Sequence, residues 1–475
     1  MNLLSKYGIV LIVGFGLILR LININQSLWL DEAISALVAR DYTFSTIVWE
    51  FLKGDNHPPL FYLMLRFWGL VFGFSDFSLR LLPVLFGTLT IVLTYLLINK
   101  LINRPAAIIA SLFISTSPLH VYYSQELRMY PVVTFWAVLL MYWYLKLMTS
   151  KPVLWKWFLF SLGLIGFIAT DYIGLFLLPV FFILALKEKV NLIKLILSFI
   201  PLIVAFIWWI PIFLQQKEII FIQVSSLPGW GSMVGGASIR EASILWMKFV
   251  LGRISFYPKI LYYLLVGIFS VPIVIGLFRS FNKRVLWLWI YLLVPLGGSL
   301  ISSVIVPSFN YSRLIFVLPA FYGLVAYGLI RFSPKVKLIT VSLVLIGNLI
   351  GLGFYFGDTG NQREQWKQAV FYIESLQPDL ALFEFPEPFA PYTWYSHKTV
   401  KAIGGLTQLS SISDQTTNKI ERELANNPRR IIYISYLRDL TDPDMHIQKV
   451  LAKAGYKNSF SKSFVGVGEV ILYAK

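Results

Sequence analysis

The chain has 475 residues, 57% of them hydrophobic and only 14% charged, with no cysteine and a formal net charge of +17. A soluble protein of that length cannot bury so much apolar surface, so the composition excludes a soluble enzyme and points to an integral membrane protein without disulfide or thiolate chemistry. Residues 357–475 hold 14 Lys/Arg against 13 Asp/Glu, which leaves +16 of the charge in the apolar part, where topology needs it, and argues against nucleic acid as a partner.

Taken in chain order, the first apolar stretch, 7–23, follows Lys6 as a signal peptide would. No small-x-small cleavage site follows and many more spans do, so it is read as a retained span. An outer loop, 24–77, contains "SLWLDEAISA" and then "PLFYLMLRFWGLVFGF" (59–74), which is too short for a span and reads as an interfacial or re-entrant helix. Further spans are predicted at 78–99, 105–121, 127–148, 153–170, 172–187, 191–214, 257–280, 284–306, 312–331 and 335–356, about eleven in all. A cytoplasmic N-terminus puts the basic residues in alternate loops: Lys100 and Arg104; Lys151 and Lys156; Lys187, Lys189 and Lys194; Arg279, Lys283 and Arg284; Arg331, Lys335 and Lys337. An odd number of spans then places the tail outside the cell membrane, on the face of the 24–77 and 215–256 loops. The expected fold class is therefore a polytopic α-helical membrane protein, residues 1–356, with a soluble extracytoplasmic α/β domain, residues 357–475. No internal repeat is visible, so the inverted-repeat signature of many transporters is missing.

Within the tail, "QREQWKQAVFYIESL" has helical periodicity and "DLALFEF" is a strand candidate. "NKIERELANN" is a helix leading into the strand "RRIIYISYL". "DPDMHIQKVLAKAG" is a helix with Asp442 or Asp444 near its start, and "FVGVGEVILYAK" closes with a strand. This order predicts a three-layer α/β fold.

Four stretches on the outer face could carry chemistry. Asp31 and Glu32 follow the first span. Asp31 reads equally as the N-cap of a helix with Ile34, Leu37 and Val38 on its apolar face, and as a base that takes a proton from an attacking hydroxyl or amine. Adjacent helical residues diverge by about 100°, so only one of the pair can point into a given cavity. "GDNHPPLFY" offers His57 as a polar contact to a substrate or as a metal ligand; no cysteine and only four histidines argue against the metal, so no cofactor is assigned, with a divalent metal left as the alternative. "PLHVYYSQELRMY" (118–130) crowds His120, Tyr122, Tyr123, Gln125, Glu126, Arg128 and Tyr130 at a membrane rim. An aromatic belt accounts for the tyrosines, whereas Arg128 suits a phosphate. Arg313, in "SFNYSRLIFVLPA", is a cation at an outer span end, against the inside bias, and is a second phosphate candidate.

"LWLDEA", "HPPLFY", "RLLPVLFGTLT", "SPLHVYYSQELRMY", "YSRLIFVLPA" and "REQWKQA", in that order, resemble prokaryotic members of the dolichyl-phosphate-mannose–protein mannosyltransferase superfamily, the family-39-like glycosyltransferases of the GT-C fold. The likeness runs from residue 1 to about 370. It implies a polyprenyl- or dolichyl-phosphate-linked sugar as donor, a glycan, lipid or protein acceptor, membrane lipid around the spans, and inversion at the anomeric carbon. It also implies an acidic residue of the first outer loop as base, which maps onto Asp31 with Glu32 beside it. Arg128 and Arg313 would stabilise the leaving phosphate, and His57, Tyr123, Gln125, Glu126 and Tyr130 would line the substrate site. The alternative is a transporter or flippase of lipid-linked sugars, which needs neither the carboxylate nor the outer domain.

Overall fold

The computed structural model describes residues 3–149, 154–188, 192–226, 235–384, 389–406 and 414–475. Lys151, Lys189, Phe385 and residues 227–234 of the 215–256 loop lie outside the described residues.

The N-terminal part is helical throughout. After α1 (Leu3–Leu21), the 24–77 loop forms α2 (Leu30–Asp41), a short helix Phe44–Trp49, and α3 (Leu60–Phe72). Next comes α4 (Asp76–Leu101), whose first turn is closed by Ser75, the hydroxyl accepting from Ser78 N at 3.1 Å. Then α5 (Arg104–Thr116) and α6 (Pro118–Ser124) meet at a 58° bend. The bend sits at Pro118, which has no N–H to continue the ladder. The carbonyls freed there go to Arg20 of α1: its guanidinium donates to the oxygens of Ile114, Ser115 and Gly16, to Ser124 Oγ and to His120 Nδ1. A Cβ on Gly87 would lie 2.2 Å from Ser124 Oγ, so α4 can pass this cluster only with a glycine there. The next helix, α7 (Tyr130–Thr149), starts directly after the stretch 125–129.

Among the described residues six helices are long and apolar enough to cross a membrane, or seven if the bent pair counts as one. Five shorter apolar helices accompany them, the interfacial candidate Leu60–Phe72 among these. The last long helix is α8 (Pro334–Gly357).

The tail folds around a five-stranded sheet of β1 (Leu380–Phe383), β2 (Ala402–Gly404), β3 (Arg430–Ile434), β4 (Lys457–Phe464) and β5 (Gly468–Ala474), in the order β2-β1-β3-β5-β4. The first three are mutually parallel; β5 runs antiparallel to both its neighbours. One face is covered by α9 (Trp366–Ser375) and α10 (Ala390–Tyr395), through Trp366, Ala369, Val370, Ile373 and Tyr392 packed on Phe383, Ile432 and Ile434. The other carries α11 (Asp414–Leu424) and α12 (His446–Lys453), through Ile420, Leu424, Ile447 and Leu451 on Leu382, Ile431 and Tyr433.

Two expectations for the tail shift. The helix anticipated from Gln362 starts only at Trp366, because Arg363 and Gln365 are drawn into contacts outside it: Arg363 pairs with Glu126, and Gln365 N donates to Val465 O at 2.8 Å. The closing strand is the second arm of a hairpin. Its first arm, "KNSFSKSF", is an exposed edge strand without apolar alternation, and the arms turn at Gly466, whose φ of +75° favours glycine.

Candidate active site

The site lies where α2, the 125–130 stretch and the start of the tail meet. Trp29, not Asp31, caps α2: Trp29 N donates to Glu32 Oε2 at 3.3 Å, which puts Asp31 and Glu32 in the first turn. The two carboxylates diverge. Glu32 is fully buried and receives Arg80 of α4 in a two-pronged pair, Nε to Oε1 at 3.0 Å and Nη2 to Oε2 at 2.6 Å, while Leu127 N donates to Oε1 at 2.7 Å. Burial opposes ionisation of Glu32, yet the charges of Arg80 and Arg363 and these hydrogen bonds hold its carboxyl below the usual range. The remaining donors of Arg80 go to the carbonyls of Ile24, Gln26 and Ser27. One buried pair therefore fastens the end of α1, the start of α2 and the 125–130 stretch together.

Asp31 has no such commitments. Its side chain is 35% exposed, and its Oδ2 lies 3.6 Å from Arg128 Nη2. Arg128, only 5% exposed, uses the same nitrogen to reach His57 Nε2 at 3.0 Å; its Nε is buried without a partner. His57 Nδ1 faces the Asp55 carboxylate at 3.2 Å, and Tyr62 of α3 donates to Asp55 Oδ2 at 2.8 Å. Burial opposes ionisation of Asp55, but His57, Arg128 and the Tyr62 hydroxyl bring its carboxyl down to about 2. The loop holding His57 is tied in turn to the long helix Leu192–Ser226, where Gln216 Nε2 donates to His57 O at 2.9 Å.

The other expected residues fall into two groups. Tyr130 is half-buried, with Arg128, Arg313 and Asp31 all within electrostatic reach of its hydroxyl, and Tyr123 packs edge-on against it with ring centroids 4.9 Å apart. Arg313 anchors one nitrogen on Pro307 O at 3.1 Å. His57 and Asp31 thus flank Arg128, and Asp31, Arg128 and Arg313 all act on Tyr130, against which Tyr123 packs. Gln125 and Glu126 point elsewhere: Gln125 donates to the carbonyls of Arg20 and Ile22 and accepts from Tyr355 of α8, and Glu126 pairs with Arg363 at 2.5 Å. Both are buried and fix the stretch on which Arg128 sits.

Sequence reasoning singled out neither Asp55, Tyr62, Arg80 nor Arg363. Arg80 carried a usable signal, the one applied to Arg313: a cation at the outer end of a span. Arg363 reaches across from the tail, with its guanidinium 3.6 Å from the Tyr122 ring centroid, and no spacing in the sequence announces that contact. Beside it Glu364 accepts from Trp366 Nε1 at 2.8 Å and from Tyr436; burial pushes its carboxyl up to about 7.

Comparison with solved structures matches this arrangement of helices and tail along its whole length. ArnT from Cupriavidus metallidurans bound to undecaprenyl phosphate aligns with a TM-score of 0.62, covering 98% of both chains at 14% identity. The archaeal oligosaccharyltransferase AglB from Archaeoglobus fulgidus, in complex with an inhibitory peptide and a dolichol-phosphate, aligns with a TM-score of 0.55 over 99% of this chain and 74% of that one, at 11% identity. This chain is a GT-C fold protein. Within the GT-C chain, residues 56–214 match the family model for dolichyl-phosphate-mannose-protein mannosyltransferases. That segment includes His57 and Arg128 and leaves out Asp31 and Arg313. An uncharacterized protein of Aquifex aeolicus is 30% identical over 177 residues, 36% of this chain, and the alignment spans about a third (34%) of that relative's length.

Proposed function

We propose that this GT-C protein is a membrane glycosyltransferase that moves a sugar from a polyprenyl- or dolichyl-phosphate carrier to an acceptor on the outer face of the membrane, with inversion. The observation that carries this reading is Asp31: a part-exposed carboxylate at a membrane rim, 3.6 Å from a buried arginine that still has free donors. In the reaction an acceptor hydroxyl or amine attacks the anomeric carbon, and Asp31 takes its proton. The bond from that carbon to the lipid phosphate oxygen breaks, and the phosphate leaves with its charge stabilised by Arg128 and Arg313. Glu32, with both oxygens engaged by Arg80 and backbone, positions Asp31 without touching substrate.

The lipid carrier is supported by the GT-C fold and by what its structural neighbours hold, undecaprenyl phosphate in ArnT and dolichol-phosphate in AglB. Membrane placement follows the same reading: the seven long spans together with the four shorter apolar helices other than Leu60–Phe72 make eleven crossings, with the N-terminus inside and the tail outside.

The test is in vitro. Purified protein is incubated with a panel of undecaprenyl-phosphate-linked hexoses and pentoses and an envelope extract as acceptor, and release of undecaprenyl phosphate is measured. At least one donor turns over with the wild-type chain and none with Asp31→Asn. Equal release by both proteins removes Asp31 from the chemistry; transport of intact donor across vesicles without release favours a flippase.

A further inference from the structure

Arg128 is the centre of the site, and what holds it is a chain of contacts that starts at a residue away from any substrate. Arginine has only donors, so the 3.0 Å contact from Arg128 Nη2 requires His57 Nε2 to accept. A histidine that accepts at Nε2 carries its hydrogen on Nδ1, and Nδ1 faces both oxygens of Asp55 at 3.2 and 3.3 Å. Asp55 is in turn fixed by the Tyr62 hydroxyl at 2.8 Å, from the first turn of α3 just after Pro58 and Pro59. Tyr62 is 1% exposed and packs with Val38, Ile47 and Leu52, so this end of the chain cannot swing. At the other end Arg128 Nη2 is held between His57 and Asp31, while Nε and Nη1 meet no hydrogen-bond acceptor among the described residues.

We propose that Asp55 is a positioning residue for phosphate recognition: by fixing the Nδ1–H form of His57 it keeps Nε2 as the acceptor that holds Arg128, and so keeps the Nε and Nη1 hydrogens of Arg128 directed at an anionic oxygen of the lipid phosphate. The proposal rests on the donor assigned under the proposed function. Its logic is a difference between two forms of one ring. With the hydrogen on Nε2 instead, two N–H groups would face one another, and Arg128 would be pushed off the position beside Asp31. An asparagine at 55 can accept or donate, so it no longer selects one form of the ring. Asp55 does this without reaching the substrate, as an outer partner orients a ligand.

Two measurements decide it on the full-length protein. The first is nitrogen NMR of histidine-labelled protein in lipid, where only four histidines contribute and His57→Gln identifies the signal. A wild-type His57 with a bare Nε2 that becomes mixed in Asp55→Asn supports the proposal; a wild-type ring with its hydrogen on Nε2 overturns it. The second is binding of undecaprenyl phosphate in detergent. Asp55→Asn weakens binding about tenfold, Tyr62→Phe less, and Asp55→Asn added to Arg128→Gln weakens it no further, because both act through one guanidinium. Losses that simply add show that Asp55 acts elsewhere and overturn the proposal. Wild-type protein that binds no undecaprenyl phosphate counts against the lipid donor instead, and the ring measurement then decides the role of Asp55 alone.

Discussion

An arginine brings five N–H groups, and what each one meets separates the buried arginines of this protein. Arg20 and Arg80 have every donor satisfied by carbonyls, a hydroxyl, an imidazole or Glu32, and both sit where a span ends and a loop must be gathered. Arg128 and Arg363, nearly as buried, each keep a buried Nε without a partner; Arg363 is paired with the buried Glu126, Arg128 with the part-exposed Asp31. The two acidic neighbours divide in the same way, and their substitutions should fail differently. Glu32→Gln leaves Arg80 as an uncompensated buried charge, so it should lower folding stability by about 3–5 kcal/mol, read as a fall in the melting temperature in detergent. Asp31→Asn should leave the melting temperature near that of the wild type and cut turnover by about 10²–10⁴-fold. A destabilised Asp31→Asn with normal turnover per folded molecule would reverse the assignment. On the proposed reading, in which both guanidinium groups serve one phosphate, Arg128→Gln and Arg313→Gln should each depress turnover, and the double variant should lose less than the sum. Additive losses, from matched folded fractions, would mean that they act on separate groups. The residue types of the candidate site were legible in the sequence because charge beside an apolar span is costly and stands out; which of them are tied up in buried pairs was not, since that depends on donors counted in three dimensions.

At the scale of elements, the tail shows what periodicity can and cannot read. Strands β1 and β3 are apolar on both sides because helices cover both faces, and they were visible as continuous apolar runs. Strand β4 has no covered face until its last residue, so its sequence carries no alternation to find. The end of β1 also carries a pH dependence. Burial pushes the Glu384 carboxyl up to about 8, with the Tyr433 hydroxyl hydrogen-bonded to it and Asp442 close by. An unfolded glutamate titrates near ~4.3, so the folded chain keeps a proton that the unfolded chain has already lost. The contribution is therefore fully present below about pH 4, declines as pH rises, and is gone above about 8. Thermal unfolding of the full chain between pH 5 and 9 should show the tail loosening toward the alkaline end. Glu384→Gln, which mimics the protonated acid, should flatten that slope. A Gln variant with the wild-type slope would place the titrating group elsewhere.

For the whole molecule, the tail is not an appendage. Leu30, the residue before Asp31, packs into the sheet's own core among Trp366, Phe389 and Tyr436. Trp394 and Tyr395 of α10 both donate to Asp76 at the start of α4, Tyr395 OH accepts from Leu28 N at 2.7 Å, and Arg363 pairs with Glu126. The loop that carries Asp31 is thus held on one side by the tail and on the other by Arg80. Asp76→Ala should free both aromatic rings, raise protease sensitivity of the junction near 357–366 and lower turnover, with the spans unaffected; unchanged proteolysis would show that the apolar contacts suffice. The proposed topology has its own test, simple in a chain without cysteine. An impermeant thiol reagent applied outside should label a cysteine placed at the exposed position 421 and not one at position 283; the opposite pattern inverts the molecule.

The sequence by itself determined the class of this protein: a series of long apolar stretches, as a polytopic membrane protein needs, followed by a charged tail with strand and helix periods. Those features are local, since hydropathy and periodicity are properties of a few neighbouring residues. Only the tertiary structure decided which carboxylate is free, that Trp29 rather than Asp31 caps α2, that Asp55 stands behind His57, and that Arg363 and Tyr395 close the tail over the loop. Each of these depends on a hydrogen bond or ion pair whose orientation, or whose partner 48 to 367 residues away, no local pattern encodes. It is burial in the folded chain that makes each such bond obligatory.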